Sequence, residues 1–511
     1  MSSSTTINVP YCAVFLAAVS ILLLRLLLPR LRPRKHGGAM NPPPGPWQLP
    51  VIGSLHHLVG ALPHRAMRDL ALRHGPLMLL RMGELPVVVA SSAAAAREVL
   101  KTHDAAFATR PRTDTFHTMT RDGLGILFAP HGDHWRRVRK LCVTELLSPR
   151  RVRSFRGSRE AEADSLVASV ASVASASQGK AVNVSYLVST YVTDAVVRAV
   201  VGGRIGDREA LLASLDEGAK VAAGFSLPDL FPSSRLARAL SGTARRVEDV
   251  VGELSRIMDA VIEDKRARRS GAGDEEEDIL DVLLRFQHAD DAPLDIGTIR
   301  AVIRDLFGAG SETSATTLQW AMSELMRNPA ALRRAQAEVR GVLVGLGQSR
   351  VREEALPELS YLQLVIKETL RLHAPVPLLI PRECREPCRV MGYDVPQGAM
   401  VLVNAWAIGR DAASWGADAE EFRPERFEDA TPAVDFRGSD YEFLPFGAGR
   451  RMCPGMTFGV IVTELALASL LFHFDWEHPG GAGGLDMEEA LGITARRKND
   501  LLLHATVHAP Y

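Results

Sequence analysis

The sequence predicts a mainly α-helical fold with a small β part, behind an N-terminal transmembrane helix. Long helical patterns indicate the α part, above all one that runs over Ile296–Arg327. A short apolar run, Leu85–Ala90, indicates strands. An apolar segment near the N-terminus indicates the membrane helix. The motifs described below add a family resemblance that implies the remaining elements.

The composition is that of a protein with a large core in a reducing compartment. The 511 residues include 60 basic and 60 acidic side chains, so the net charge indicates no nucleic-acid partner. Apolar residues make up 46% of the chain, which is enough for a large packed core. The five cysteines are scattered. Cys384 and Cys388 are four apart, but no second ligand pair accompanies them, which argues against a zinc site.

Residues 11–28 are apolar except for Ser20 and Arg25. A helix of this length spans about 27 Å, close to the thickness of the hydrocarbon core of a bilayer. Basic residues follow the segment and no charged side chain precedes it, which places the rest of the chain in the cytosol by the positive-inside rule. We therefore predict a membrane anchor over residues 1–29. A cleavable signal peptide is the alternative.

Residues 30–50 are basic and then proline-rich, with the run Asn-Pro-Pro-Pro-Gly-Pro-Trp at 41–47. Such prolines favour a stiff polyproline II segment, which predicts a hinge before a catalytic domain at residues 51–511. Within that domain, Ser360 and Gln363 have the spacing of a helix capping box. Residues 390–404 predict a β-hairpin around the Pro-Gln-Gly at 396–398.

The helical pattern of Ile296–Arg327 contains Gly308 and Gly310, each of which costs about 1 kcal/mol relative to alanine inside a helix. Close approach of a flat ligand would explain them. Thr313 lies three residues beyond Gly310 and shares its face of the helix. A buried threonine at this place can also simply bond back to the carbonyl of Ala309.

A single cysteine, Cys453, ends a glycine-punctuated turn that reads Phe-Leu-Pro-Phe-Gly-Ala-Gly-Arg-Arg-Met-Cys-Pro-Gly. Gly447 and Gly449 permit backbone angles that a side chain would block. Arg450 and Arg451 would place positive charge near the sulfur and favour its thiolate form. Taken alone, a cysteine among apolar residues is more often a small buried hydrophobe. The residues themselves leave both interpretations open.

The spacing of this loop carries a resemblance to a known family. Phe446, Gly449, Arg451, Cys453 and Gly455 fill the pattern Phe-x-x-Gly-x-Arg-x-Cys-x-Gly, which resembles the haem-ligand loop of the cytochromes P-450. Further family motifs follow in the family's order across essentially the whole chain. They are the proline-rich hinge, Trp135-x-x-x-Arg139, Ala309-Gly-Ser-Glu-Thr313, Glu368-x-x-Arg371 and Phe422-Arg-Pro-Glu-Arg426-Phe427. In detail they look like those of the plant A-type microsomal group.

The resemblance implies haem b as the cofactor, with the Cys453 thiolate as the axial ligand of the iron. The residues implied to hold the haem and its propionates are Trp135, Arg139, Arg382, Phe446, Arg451 and Gly455. Glu312 and Thr313 would deliver protons for dioxygen cleavage. A buried charge triad of Glu368, Arg371 and Arg426 would brace the cysteine loop. The residues implied to line the substrate pocket are Ala309, Gly310, Val376, Leu378, Leu379 and Ile493.

The implied activity is that of a monooxygenase. It would insert one atom of dioxygen into a lipophilic small molecule, such as a plant terpenoid, with NADPH electrons from an NADPH–cytochrome reductase. The anchor implies a single-pass protein of the endoplasmic reticulum membrane with its catalytic domain facing the cytosol. Two alternatives are a haem-thiolate isomerase or dehydratase that needs no dioxygen, and a non-catalytic membrane-anchored haem-binding sensor. Glu312 and Thr313 argue against the first, because such chemistry has no use for a proton relay.

Overall fold

The computed structural model describes the chain from residue 40 to residue 508 with six internal gaps. The described ranges are 40–120, 124–176, 181–222, 225–269, 277–289, 293–429 and 433–508. The predicted anchor at residues 1–29 and residues 30–39 of the predicted hinge lie outside these ranges. Helices predominate within them and the strands are few and short, which confirms the predicted mainly α fold with a small β part.

The helices are numbered in chain order. They are α1 (Pro63–His74), α2 (Ala93–Arg97), α3 (Asp114–Met119), α4 (Asp133–Leu141), α5 (Pro149–Ser154), α6 (Arg156–Ala176), α7 (Val184–Val201), α8 (Arg208–Val221), α9 (Leu227–Leu230), α10 (Arg235–Leu240), α11 (Thr243–Arg269), α12 (Ile279–Gln287), α13 (Ile296–Arg327), α14 (Pro329–Gly345), α15 (Ser360–Leu372), α16 (Ala405–Ile408), α17 (Ala412–Trp415), α18 (Arg426–Asp429) and α19 (Met456–His473). Short 3₁₀ or π turns occupy Leu55–His57, Glu98–Thr102, Cys142–Leu146, Glu353–Glu358, Gly449–Arg451 and Ala482–Gly484.

The strands form three small sheets. They are β1 (Leu77–Met82), β2 (Leu85–Ala90), β3 (Val182–Asn183), β4 (Arg382–Glu383), β5 (Cys388–Val390), β6 (Tyr393–Val395), β7 (Met400–Val403), β8 (Phe474–Glu477) and β9 (Leu502–Val507). A four-stranded sheet has the order β1-β2-β7-β4, in which β2 and β7 are parallel and the other neighbours antiparallel. The antiparallel sheets β3-β9-β8 and β5-β6 complete the β part.

The central helix α13 has the bounds that its sequence pattern predicts. Its first turn is capped by Asp295, whose side chain accepts a hydrogen bond from the Thr298 N–H at 2.8 Å. It ends at Arg327 because Pro329 opens α14. The helix packs against α7 and α19, and these three elements contribute to the largest hydrophobic core. The site described below is therefore built on a helix of the largest hydrophobic core.

Two described helices, α7 and α19, are long and apolar enough to cross a membrane. Most of each helix is buried inside the fold, as expected for the core helices of a globular domain. Their composition is weak evidence for a membrane span.

Residues 41–45 of the predicted hinge lie against the β part. The Asn41 N–H donates to Asp394 Oδ2 at 2.8 Å, and the Leu79 N–H donates to the Pro44 carbonyl at 2.8 Å. A Cβ on Gly45 would lie 2.1 Å from the Leu79 carbonyl oxygen, so the approach to β1 requires glycine. This part of the hinge is therefore fixed to the sheet. The domain boundary at residue 50 stays a prediction.

The capping box predicted at Ser360 and Gln363 is wrong. The N-terminus of α15 is instead capped by Glu338 of α14, whose carboxylate accepts from the backbone N–H groups of Tyr361 at 2.7 Å and Leu362 at 2.9 Å. The Ser360 hydroxyl donates to the same carboxylate. A carboxylate near the first turn also opposes the helix dipole favourably. The cap comes from a neighbouring helix, so the local spacing could not reveal it.

The hairpin predicted around residues 396–398 is also misplaced. The structure forms it from β5 and β6, with Met391 and Gly392 as the two turn residues. Both have positive φ, 47° and 85°, as a two-residue hairpin turn of the I′ type requires. Strand β7, which follows residues 396–398, pairs with β2 and β4 and not with β6.

A buried carboxyl group on α19, that of Glu464, should make the stability of the fold depend on pH. Burial, and then the charge of Glu353, raise the pKa of Glu464 to about 7. The folded protein therefore holds this proton more tightly than the unfolded chain, and stability is lost as the pH rises from about 4.5 through 7. We expect Glu464→Gln to stabilise the protein by about 2–3 kcal/mol at pH 8 and by little at pH 4.5. Urea unfolding of both proteins at the two pH values measures the difference, and an equal effect at both would contradict the assignment.

Candidate active site

A cavity of about 350 Å³ lies between the central helix α13 and the loop that carries Cys453. Its walls are mainly apolar and include Val196 of α7, Leu215 of α8, Ala309 of α13 and Val376 of the segment before β4. The side chain of Cys453 is exposed to this cavity. The site thus combines a thiol with an apolar chamber inside the fold.

The cysteine loop is a tight turn that runs into the N-terminus of α19. Gly447 and Gly449 have φ values of 65° and 68°, and a Cβ on Gly449 would lie 2.3 Å from the Leu100 carbonyl oxygen. The Cys453 N–H donates to the Phe446 carbonyl at 3.0 Å, which closes the loop. The Phe446 ring in turn packs edge-on against Phe436 at 5.2 Å. The loop holds the sulfur at a fixed place beneath the cavity.

The electrostatic surroundings of the sulfur differ from those the sequence suggested. Burial raises the pKa of the Cys453 thiol, while the Gly455 N–H and the charge of Arg139 lower it. Gly455 is the N-cap of α19, so the positive end of a helix dipole also faces the sulfur. Arg450 does not serve as predicted, because it pairs with Asp104 at 3.0 Å and its side chain is half exposed. Arg139, not Arg450, is the nearby cation that favours the thiolate.

A cluster of buried cations lines the cavity beside the thiol. Its members are Arg110, Arg139, Arg382 and Arg451. Burial, then the charges of Arg382 and Arg139, lower the pKa of Arg451 to about 9. Among the described residues, Asp104 is the carboxylate that forms a salt bridge with the cluster, to Arg382 at 3.0 Å. Positive charge therefore exceeds negative charge here, and an anionic ligand would relieve the repulsion.

Protein atoms hold most of these cations in place. Arg451 donates to the carbonyls of Ala108 at 2.8 Å, Ile126 at 3.1 Å and Ala129 at 2.6 Å, and its guanidinium lies 4.1 Å over the Trp135 ring. Trp135 is buried and donates to the Ile126 carbonyl at 3.2 Å. Arg139 donates to the Met452 carbonyl at 2.6 Å, directly before the cysteine. Trp135, Arg139, Arg382 and Arg451 are thus brought together around one end of the cavity.

The three residues of the implied charge triad are in contact and buried. Both carboxylate oxygens of Glu368 accept from Arg371 at 2.7 Å, and Glu368 Oε1 also accepts from Arg426 Nε at 2.8 Å. Arg426 further donates to the Trp415 carbonyl at 3.1 Å. The Trp415 ring packs edge-on against Phe443, at the start of the cysteine loop, with centroids 6.0 Å apart. This chain of contacts connects the triad to the loop that holds Cys453.

Glu312 and Thr313 both line the cavity, on α13. The Thr313 hydroxyl donates to the Ala309 carbonyl at 2.8 Å, the back-bond that a helical threonine commonly makes. Glu312 Oε1 accepts from the Thr494 hydroxyl at 2.9 Å, and burial raises the pKa of Glu312. The acid therefore keeps its proton to a higher pH than an exposed glutamate does.

Five of the six residues expected to line the pocket do line the cavity. They are Ala309, Gly310, Val376, Leu379 and Ile493. Leu378 is the exception: it faces a smaller neighbouring pocket and packs against the core below the four-stranded sheet. Leu379 has a φ of 50°, and this reversal of the chain sends consecutive side chains to different sides.

The structure adds a second reason for Gly310. A Cβ at this position would lie 3.1 Å from Val196 Cγ2 on α7, so close packing of α7 against α13 favours glycine here. Gly310 also lines the cavity, and close approach of a flat ligand stays a prediction. Gly308 has more room, since its Cβ would meet Leu215 at 3.9 Å.

The sequence interpretation missed several residues of this site. Arg110 donates to the carbonyls of Leu127 at 2.9 Å and Ile380 at 2.8 Å, so it ties two cavity walls together. Asp104 holds both Arg382 and Arg450. Both residues lie in or beside a stretch, residues 105–130, that has little helical or strand periodicity. The neighbouring proline after Arg110 was the only local signal, and it does not identify a cavity residue.

Comparison with known proteins shows which family shares this sequence and fold. The family model described as "Cytochrome P450" matches residues 42–504. Desmethyl-deoxy-podophyllotoxin synthase of Sinopodophyllum hexandrum is 47% identical over 500 residues, which cover 96% of each chain. Dolabradiene monooxygenase of Zea mays is 48% identical over 473 residues, which cover 91% of this chain and 92% of that protein. The solved structure of a zebra fish cytochrome P450 with progesterone has a TM-score of 0.72 at 25% identity, over 87% of this chain and 99% of its own.

A cysteine that faces an apolar cavity, an excess of buried and half-buried cations beside it and a long helix across the cavity are the features expected of a haem-thiolate protein. The match over most of the chain then gives the family: the chain belongs to the cytochrome P450 family. It is a haem-thiolate monooxygenase that uses haem b and takes NADPH electrons through a reductase. A redox partner, dioxygen and hydrophobic substrates follow from the family. The isomerase and sensor alternatives are therefore not supported.

The residues present fit a haem. Cys453 offers one soft sulfur ligand to a metal, and the excess of positive charge beside it suits the two propionate groups of a porphyrin. The cavity between the sulfur and α13 is apolar, as a porphyrin face requires.

Proposed function

We propose that the protein oxygenates a lipophilic plant specialised metabolite, of which a terpenoid is the leading candidate, in the endoplasmic reticulum membrane. The observation that carries the substrate class is the cavity, whose walls between α7, α8 and α13 are mainly apolar. Binding of an apolar skeleton is favoured by a free energy of about 25 cal/mol for each Å² of apolar surface that it buries in the cavity. The name of the similar dolabradiene monooxygenase refers to a hydrocarbon diene, which supports the same chemistry.

We assign the residues of the site as follows. Cys453 would ligate the haem iron, and binding to the metal would remove the proton of its thiol. The Gly455 N–H and the charge of Arg139, which oppose the rise that burial causes in the pKa of this thiol, would favour the same ionised form. Arg382 and Arg451, together with Trp135 and Arg139, would bind the propionates, whose negative charge offsets the repulsion within the cation cluster. The bound haem would supply the oxidation chemistry that no side chain can provide. Phe446, which lines the cavity near Cys453, would contact it.

Proton delivery falls to Glu312 and Thr313. Burial raises the pKa of Glu312, so its carboxyl group keeps a proton to a higher pH than an exposed glutamate does, and the hydrogen bond that it accepts from Thr494 fixes its position. The Thr313 hydroxyl, which is oriented by the Ala309 carbonyl, retains acceptor capacity toward the cavity. Because the walls around these two residues are mainly apolar, we assign the transfer of protons to Glu312 and Thr313.

The substrate is identified by binding and then by turnover. We expect terpenoids of a panel that also contains phenolics and alkaloids to give type I spectral shifts with the full-length protein in membranes. The best ligands should then yield an oxygenated product that depends on NADPH, reductase and dioxygen. Shifts from phenolics or alkaloids alone would overturn the terpenoid assignment. Product formed without dioxygen would contradict the proton-delivery roles.

Replacing Thr313 with alanine tests the delivery of protons. We expect Thr313→Ala to retain haem, to lower the yield of product per NADPH by about tenfold and to release hydrogen peroxide instead. Thr313→Ser keeps the hydroxyl and serves as the matched control, which should couple as the unmodified protein does. The ratio of product to NADPH consumed, measured together with peroxide, decides the outcome. Equal coupling in Thr313→Ala would remove this residue from the mechanism.

Single-pass attachment remains part of this proposal, because the predicted anchor at residues 1–29 lies outside the described residues. Residues 41–45, near the start of the described chain, dock on the β part, which indicates the side of the domain that the proposed anchor would adjoin. Alkaline carbonate extraction and glycosylation-site mapping of the full-length chain would establish the topology.

A further inference from the structure

A hydrogen-bonded contact joins the central helix to a cavity wall, and neither the motifs nor the proposed mechanism uses it. Asp305 of α13 directs one carboxylate oxygen, Oδ2, at two successive backbone N–H groups, those of Ile126 at 2.7 Å and Leu127 at 2.9 Å. Hydrogen bonds from N–H groups to a carboxylate are shorter and stronger than neutral ones. Burial raises the pKa of Asp305, while these two N–H groups and Arg304 lower it.

Gly125, in the segment that Asp305 binds, lies so close to α13 that it leaves no room for a side chain. A Cβ on Gly125 would lie 2.2 Å from Asp305 Oδ2 and 2.9 Å from the Ala301 carbonyl oxygen. The second of these atoms belongs to the backbone of α13, which cannot yield as a side chain can. Any side chain at position 125 would therefore push the segment away from the helix.

The segment that Asp305 holds contacts both halves of the site. Its Leu127 and Phe128 side chains line the cavity. The Ile126 carbonyl accepts hydrogen bonds from Trp135 at 3.2 Å and from Arg451 at 3.1 Å. One short peptide thus joins the central helix, the substrate-side wall and the cation cluster.

We propose that Asp305 is a positioning residue which, together with Gly125, fixes residues 125–128 as a wall of the substrate cavity and so controls where the substrate is oxidised. The inference rests on the proposed use of this cavity for the substrate. Loss of the carboxylate leaves two N–H groups without an acceptor, which favours displacement of the segment. A displaced wall changes which carbon of a bound skeleton lies nearest to the site of oxidation, because a shift of about 1 Å is enough to alter reactivity.

Three variants of the haem-loaded, full-length protein separate positioning from general stability. Asp305→Leu removes the acceptor at similar size. Asp305→Asn keeps an acceptor oxygen but removes the charge, so this variant should retain the contact with the two N–H groups. Gly125→Ala disturbs the same contact from the loop, and it tests the proposal even where Asp305→Leu fails to bind haem. The matched control is Asp259→Asn, which removes a carboxylate that binds Arg300 at another part of α13.

Hydrogen exchange at the amides of residues 126 and 127, followed by mass spectrometry, reports the contact directly. We expect exchange about tenfold faster in Asp305→Leu and Gly125→Ala, and rates close to those of the unmodified protein in Asp305→Asn and Asp259→Asn. Unchanged exchange in both disruptive variants would overturn the proposal. This measurement needs no substrate, so it decides the contact even if no compound of the panel is oxidised, a result that would count against the proposed function alone.

Product analysis then tests the consequence. With a substrate from the panel, we expect Asp305→Leu and Gly125→Ala to change the ratio of oxygenated products and to raise KM, at an unchanged haem content. Asp305→Asn should restore both. Faster exchange with an unchanged product ratio would show that the contact only stabilises the fold, and would overturn the positioning role.

Discussion

Replacing Cys453 with serine is expected to abolish the long-wavelength Soret band of the reduced carbon monoxide adduct and to lower product formation by at least about 1000-fold. A serine hydroxyl has a far higher pKa than a thiol and is a harder ligand, so it does not replace a thiolate on iron. The Gly455 N–H and the charge of Arg139, which lower the pKa of the thiol, cannot bring a hydroxyl into the ionised range. Spectra of the reduced protein with and without carbon monoxide measure the effect.

Cys388→Ser is the matched control for this experiment. Cys388 is partly buried on β5, its sulfur lies 3.9 Å from that of Cys384, and it does not line the cavity. We expect this variant to keep the band and the activity. An unchanged band in Cys453→Ser would show that another group ligates the iron and would remove the basis of the proposed site.

The parts of the molecule that the sequence predicts well are those encoded by local patterns. The bounds of α13 follow from its helical period, from the cap at Asp295 and from Pro329. The cysteine loop and the triad were found through family motifs, and the structure brings the triad residues into contact. Glu368 and Arg371 are three residues apart on one helix, so their contact can be predicted from a short motif.

The contacts that the sequence interpretation missed join residues far apart in the chain. Asp305 is 179 residues from Ile126, and Asp104 is 278 residues from Arg382. In each pair, one residue is an acidic side chain that no motif singles out. The cap of α15 by Glu338 is a third example, because the local Ser360 spacing indicated a different cap. Polar contacts between distant segments form only once the chain has folded. A local sequence pattern therefore does not show which distant residues will meet.

The second large effect is expected from the buried triad. Glu368→Gln removes the carboxylate shared by Arg371 and Arg426. It leaves the buried Arg371 guanidinium without this counter-charge and Arg426 with the longer ion pair to Asp418, at 3.4 Å. Breaking a buried ion pair in this way costs about 3–5 kcal/mol of the free energy of unfolding. The carbonyls of Gly409 and Ala419, which also accept from Arg371, cannot replace the lost charge. Urea unfolding, followed by far-ultraviolet circular dichroism, measures the loss.

If the triad braces the cysteine loop, Glu368→Gln should affect the loop more than it affects the rest of the fold. Because Arg426, Trp415 and Phe443 connect the triad to the loop, the haem-thiolate band should disappear at a lower urea concentration than the helical signal in Glu368→Gln. Glu488→Gln is the matched control, since its ion pair with Lys498 is exposed to solvent and contributes little to stability. If band and helical signal are lost together in Glu368→Gln, the triad stabilises the domain as a whole. Separate loss would assign it to the loop, because the thiolate then leaves the iron while the helices are still folded.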